Sequence, residues 1–89
     1  MSLLDLVGYV KRGKNRKRVF LALEARMIPS EMVNKIYGKT SNTYFNIVSR
    51  ALSELKDKKL ITVVNPKEKT GRIYQKTKLG IEVEKSLYK

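Results

Sequence analysis

The sequence predicts a mostly helical α+β fold: a core of three helices joined to a two-stranded hairpin, with a further helix flanking each end. Three observations lead to this expectation. Apolar residues recur at helical spacing in five segments, two strand-like runs stand on either side of a turn containing Pro66 and Gly71, and start and stop residues mark the joints. With 89 residues, 42% of them hydrophobic, the chain can form one modest core, because proteins of this size bury only about 60 to 65% of their unfolded surface. A single domain over residues 1–89 is expected.

Leu3, Leu6, Val7 and Val10, with Leu4 alongside, predict an amphipathic flanking helix over 1–12, ended by Gly13. A second helix is predicted from Asn15 to Arg26, with Val19, Ala22, Leu23 and Met27 on its apolar side and Phe20 beside them. Pro29, Ser30 and Glu31 mark the next start, since proline suits a first turn and an acid there complements the helix dipole. Met32, Val33, Ile36 and Tyr37 form the buried side of this third helix, and Gly38 suits its left-handed cap. The polar run 39–43 is the turn.

From Thr43 to Asp57 the pattern is again helical, with Tyr44, Val48, Ala51, Leu52 and Leu55 on one face. Stepping about 100° per residue, the opposite face holds Asn42, Thr43, Asn46, Arg50, Ser53 and Asp57, with Ser49 at its margin. Leu60 to Val64 and Arg72 to Thr77 alternate as strands, so a hairpin with a charged tip is expected over 60–77. Thr77 then caps a closing helix over 78–88 that carries Leu79, Ile81, Val83 and Leu87.

Twenty Lys and Arg face eight Asp and Glu, a formal charge of +12. Such a surface repels itself, and a polyanionic partner relieves the repulsion. A salt-bridged thermophile surface would mix lysine with comparable glutamate, and here acids are scarce. Nucleic acid is therefore the expected partner, ahead of an anionic membrane or an acidic protein. There are no cysteines and no histidines, so disulfides are excluded and a zinc site would lack thiolate and imidazole ligands. No metal and no cofactor are expected. Catalysis is not expected either, because the acids are scattered and Gly38, Gly71 and Gly80 read as isolated turn or cap residues. The apolar stretch Leu3 to Val10 is broken by Asp5 and Gly8 and is far shorter than the roughly 20 residues that span a bilayer. Basic residues follow it rather than precede it, which makes it a poor secretory signal. The expected location is cytoplasmic, on the nucleoid when bound.

Helix, helix, turn, helix, hairpin, helix is the element order of a winged helix-turn-helix, in which the helix after the turn enters the DNA major groove and the hairpin, or wing, reaches the backbone or minor groove. In that frame Asn42, Asn46 and Arg50 suit base edges, Ser49, Thr43 and Thr40 reach phosphates, and Ser41 is a further expected DNA contact of the recognition helix. The wing supplies Lys67, Lys69 and Arg72 against Glu68. Within the basic run Lys11, Arg12, Lys14, Arg16, Lys17 and Arg18, the expected phosphate contacts are Lys14, Arg16 and Lys17. Leu3, Leu6, Val10, Ile81 and Leu87 exceed what one small core should bury and predict a homodimer. A small-molecule effector would need the dimer interface, and the sequence does not show one.

The run from Val48 through Ser49, Arg50, Ala51, Leu52, Ser53 and Glu54 to Leu55, then Lys59-Leu60-Ile61, Asn65-Pro66, Gly71-Arg72-Ile73-Tyr74 and Thr77-Lys78-Leu79-Gly80, resembles the small archaeal winged-helix regulators related to MarR and ArsR proteins. The opening from Val10 to Val19 and the segment from Pro29 to Met32 are similar to the same family. The resemblance spans most of the chain and implies a sequence-selective, DNA-binding transcriptional regulator, usually homodimeric. Two departures stand out. Ile28 replaces the family's threonine cap and has no acceptor, leaving Ser30 as the alternative cap. The stretch from Pro29 to Val48 is also longer than the family pattern, with the excess around Gly38 to Phe45, which can lengthen the recognition helix at its N-terminus. The competing functions are a sequence-neutral architectural nucleic-acid-binding protein and a winged-helix module for RNA or protein.

If the basic run and the wing both touch phosphates, log affinity for duplex DNA should fall against log salt with a slope steeper than about −4, at roughly −0.9 per phosphate. A nearly flat slope in a fluorescence-anisotropy titration would exclude this electrostatic footprint.

Overall fold

Residues 2–88, which the computed structural model describes, form five helices and a two-stranded antiparallel sheet. Met1 and Lys89, the ends of the expected domain, lie outside the described residues. The order is α1 (Leu3–Arg12), α2 (Lys14–Ala22), α3 (Pro29–Tyr37), α4 (Asn42–Asp57), β1 (Ile61–Val63), β2 (Tyr74–Lys76) and α5 (Lys78–Leu87). No helix of the described residues is long and apolar enough to cross a membrane.

Helix α1 starts with a reciprocal cap that the sequence reading passed over. Ser2 Oγ accepts the Asp5 N–H at 3.2 Å, and the Ser2 N–H donates to the Asp5 carboxylate at 3.3 Å. Helix α2 stops at Ala22, short of the expected Arg26, because the chain is needed elsewhere. Ala25 turns it through a positive φ of 48°, and Met27 then exchanges two backbone hydrogen bonds with Tyr74, at 3.0 and 2.8 Å. Met27 is thus a one-residue third strand beside β2, braced by an Arg26 Nε–Gln75 Oε1 bond of 3.1 Å. At the end of α2, Lys35 Nζ donates to the free Ala22 carbonyl at 2.9 Å, tying α3 to α2.

At the start of α3 the cap position belongs to Ile28, and Ser30 lies inside the first turn. Only the return half of a capping box is made there, with Glu31 Oε1 accepting the Ile28 N–H at 3.0 Å. Gly38 ends α3 in the left-handed region, at φ 73°, where a side chain would be strained. The turn over 38–41 is short, and α4 begins at Asn42 under a cap in which Ser41 Oγ accepts the Tyr44 N–H at 3.2 Å. Across this turn the rings of Tyr37 and Tyr44 stack, with centroids 4.1 Å apart and planes 5° from parallel.

Helix α4 ends in a Schellman arrangement: Lys59 adopts φ 61°, its N–H reaches the Lys56 carbonyl at 2.9 Å, and the Leu60 N–H reaches Leu55 at 3.1 Å. Leu60 drops into the core as a result. The strands are shorter than the expected runs, pairing Ile61 with Lys76, Thr62 with Gln75 and Val63 with Tyr74. Ile61 and Val63 face inward and Thr62 outward, the period of two that one buried face imposes. Thr77 joins the hairpin to α5. Its Oγ1 accepts the Gly80 N–H at 3.0 Å and donates to the Lys59 carbonyl at 2.7 Å.

One contiguous core collects Val10, Val19, Phe20, Leu23, Met32, Val33, Val48, Leu52, Leu55, Leu60, Ile61 and Val83, all essentially without exposure. Two residues expected at a dimer interface belong here instead. Leu6 and Val10 are buried because α1 packs against both α2 and α5.

Helix α5 approaches the Leu60 turn closely at Gly80, where a Cβ would sit 2.0 Å from the Leu60 carbonyl oxygen. Gly80→Ala should therefore lower stability by more than about 2 kcal/mol in urea unfolding, as overpacking of a closed contact does. Lys85→Ala, on the exposed side of the same helix, should stay within about 0.5 kcal/mol. A wild-type midpoint for Gly80→Ala would show that α5 is free to move away from the Leu60 turn.

Candidate nucleic-acid interface

The buried stripe Val48, Ala51, Leu52 and Leu55 sets the rotation of α4, so the opposite side is presented to solvent. Asn42, Thr43, Asn46, Ser49 and Arg50 are all exposed, with Ser41 at the helix start. Two clefts flank this ridge. On one side Thr43, Asn46, Ile47 and Arg50 face Gly13, Lys14 and Asn15 at the α1–α2 joint. On the other, Phe45 and Ser49 face the start of α3 and hairpin-loop residues 69–72. The structure thus brings the hairpin cations Lys69 and Arg72 to the edge of α4. Lys67 is exposed farther along the loop.

The loop between β1 and β2 is organised by Asn65. Its Oδ1 accepts the Ile73 N–H at 2.7 Å, its Nδ2 donates to the Gly71 carbonyl at 3.2 Å, and its own carbonyl accepts the Glu68 N–H at 3.0 Å. Arg72 Nε donates to the Glu68 carbonyl at 2.8 Å, so this arginine is half-buried and supports the loop it was expected only to charge.

Arg16 leaves the set of expected phosphate contacts. Its guanidinium lies 3.7 Å from the Tyr9 ring centroid, donates through Nε (3.0 Å) and Nη2 to the Tyr9 carbonyl, and stands 3.6 Å from the Glu54 carboxylate. The Tyr9 carbonyl is one of the last four of α1, which have no partner within the helix. Arg16 therefore joins α1, α2 and α4, with only 14% of its side chain exposed. Lys14 and Lys17 remain exposed. Lys14 borders the cleft against Asn46 and Arg50, whereas Lys17 lies with Lys11, Arg12 and Arg18 at the α1–α2 corner.

Several of the few acids are engaged by other groups of the chain. Asp5 and Glu31 cap helices, Glu54 faces Arg16, Glu84 bonds Lys76, and Glu24 pairs with Lys35 at 2.9 Å. The Lys35 hydrogen bond, reinforced by its charge, holds the Glu24 carboxyl below the usual carboxylate range. Arg50 consequently has no carboxylate partner among the described residues, although Glu54 lies four positions on.

Of the expected dimer residues, Leu3 (41% exposed) and Ile81 (44%) remain on the surface, and Leu87 is half-buried against the core. Sequence reasoning missed Phe45 as part of the site. A helical wheel puts it at the edge of the apolar stripe, and only the seating of the hairpin loop makes that edge the wall of a cleft. No protein-family model, curated protein or solved structure matches this chain.

Removing Arg16 should act on stability first. Arg16→Ala should lose about 1.5 to 3 kcal/mol in denaturant unfolding, the range for hydrogen bonds made by a charged group. Arg16→Lys should recover only part of it, since an ammonium cannot reproduce the planar fork. Unchanged stability with weakened nucleic-acid binding would return Arg16 to the phosphate contacts.

Proposed function

We propose that the chain is a winged helix-turn-helix protein that binds duplex DNA in a sequence-selective way and regulates transcription, as its resemblance to the small archaeal MarR- and ArsR-related regulators implies. In this reading α3 and α4 are the two helices of the motif, the loop between β1 and β2 is the wing, and α4 lies in the major groove. Asn42, Asn46 and Arg50 read base edges, Arg50 matching guanine and the asparagines adenine. Ser49, Thr43 and the wing cations Lys67, Lys69 and Arg72 hold the backbone.

The observation that carries this reading is the exposed face of α4: amide and guanidinium side chains free of acidic partners, on a helix rotationally set by its buried stripe and bordered by a cationic loop. Preorganisation favours it further. Asn65 and Arg72 order the loop in the free protein, so less conformational entropy is lost when it meets a backbone. A sequence-neutral protein would not require hydrogen-bonding amides on the same helix face as the arginine.

Selecting bound duplexes from a random pool would supply the preferred sequence for the test. Against it, Arg50→Ala should cost about 1 to 3 kcal/mol of discrimination while binding to unrelated duplexes changes little. Lys69→Ala should weaken all duplexes alike and flatten the salt slope by about one unit. Equal losses by Arg50→Ala on preferred and unrelated duplexes would make Arg50 a phosphate clamp and remove α4 as the reading element. Failure of the selection to enrich any sequence would point to architectural binding.

A further inference from the structure

Lys11, Arg12, Lys14, Lys17 and Arg18 are exposed and, with Leu21, line one shallow depression where α1 meets α2. Lys14, Lys17, Arg18 and Leu21 follow i, i+3, i+4, i+7 spacing, so they share one side of α2. The other side, Val19, Phe20 and Leu23, is buried in the core, and α4 packs against α2 there. Lys14, at the start of the strip, also borders the cleft against Asn46 and Arg50, but the depression lined with Lys11, Arg12, Lys17, Arg18 and Leu21 takes in no residue of α4. Among the described residues, none of the five cations has a carboxylate within ion-pair distance.

Nothing in the fold accounts for so many unpaired cations in eight consecutive residues, where they repel one another. Their chemistry indicates the occupant. The strip offers charge without amides, so it suits a regular array of phosphates and not base edges. Three of the cations, Lys14, Lys17 and Arg18, stand within about 6 Å along α2, a density comparable with the roughly one charge per 3.4 Å of each DNA strand. A bilayer would need an apolar face beside the charges, and among the residues that line the depression only the half-buried Leu21 is apolar. A protein partner would need an aromatic or aliphatic anchor, which the strip also lacks.

We infer that the α1–α2 corner is a second, sequence-neutral phosphate surface, occupied by the backbone of a duplex segment other than the one on α4, so that one chain joins two duplexes. The inference rests on the proposed function only in placing the first duplex on α4.

The test uses the full chain, an unlabelled duplex fixed to beads and a fluorescent second duplex in solution. Two double variants are compared with the wild type, each first shown by circular dichroism to melt like it: Lys17→Glu with Arg18→Glu at the corner, and Arg50→Glu with Lys69→Glu on α4 and the hairpin loop. Wild type should capture the second duplex. The corner variant should stay loaded on the first duplex to within about threefold while capture falls at least about tenfold, and its salt slope should flatten by about two units. The α4 variant should load through its corner and also lose capture. Capture at the wild-type level by the corner variant would overturn the inference, since bridging would then run through contacts between copies of the chain. If the corner variant loses capture and the α4 variant does not, the corner stands and the α4 reading falls. Corner-dependent binding to vesicles of phosphatidylcholine and phosphatidylserine in equal parts, with no second duplex captured, would overturn nucleic acid as the occupant.

Discussion

Helix α4 cannot turn about its axis without lifting Val48, Ala51, Leu52 and Leu55 out of the core, and this burial is the constraint on which the rest of the structure depends. Fully burying a Val or Leu side chain is worth about 1.5 to 3 kcal/mol. A rotation of one residue, about 100°, would therefore cost most of the margin that holds a domain of this size together. The same burial determines which side chains reach solvent. Asn42, Asn46 and Arg50 are presented together because they lie opposite a stripe that cannot be exposed.

Both ends of α4 are tied to neighbouring elements, and these ties place the surroundings of its exposed face. At the N-terminus the Ser41 cap and the Tyr37–Tyr44 stack fix the angle to α3, the stack contributing about 0.5 to 1.5 kcal/mol beyond its area. At the C-terminus Lys59 accepts a left-handed conformation so that Leu60 can enter the core. The Leu60 carbonyl then lies against Gly80 and accepts the Thr77 N–H at 3.1 Å. Through that joint the hairpin starts from a defined point. The Met27–Tyr74 pair holds its other strand, so the loop organised by Asn65 comes to lie beside Phe45 and Ser49.

The electrostatic surface is a consequence of where the few acids are used. Caps and intramolecular ion pairs engage Asp5, Glu24, Glu31, Glu54 and Glu84, each beside a helix end or a cation of the same chain. Arg16, Lys35 and Lys76 are the cations matched in this way, while the corner of α1 and α2, the face of α4 and the hairpin tip stay positive. A chain with more acids would have neutralised these three regions one by one. Here the imbalance concentrates in them.

Much of this was legible in the sequence, because helical periodicity, caps and turn residues are local signals. The helix order, the rotation of α4 and its row of Asn42, Asn46 and Arg50 follow from spacing alone. The end of α2 was not legible, since Met27 leaves the helical path for a backbone pairing with Tyr74, far along the chain. Nor was the role of Arg16, which looks identical to Lys14 and Lys17 in a basic run and differs only because the Tyr9 carbonyl and Glu54 converge on it in the folded state. Leu6 and Val10 carried the same ambiguity: an apolar stripe on a terminal helix says that it will be covered, and not by what. The sequence by itself determined which side chains share a face. Which faces meet, and so which charges are matched and which stay unmatched, was decided only by the tertiary packing, because contacts between distant residues depend on all the elements closing on one core at once.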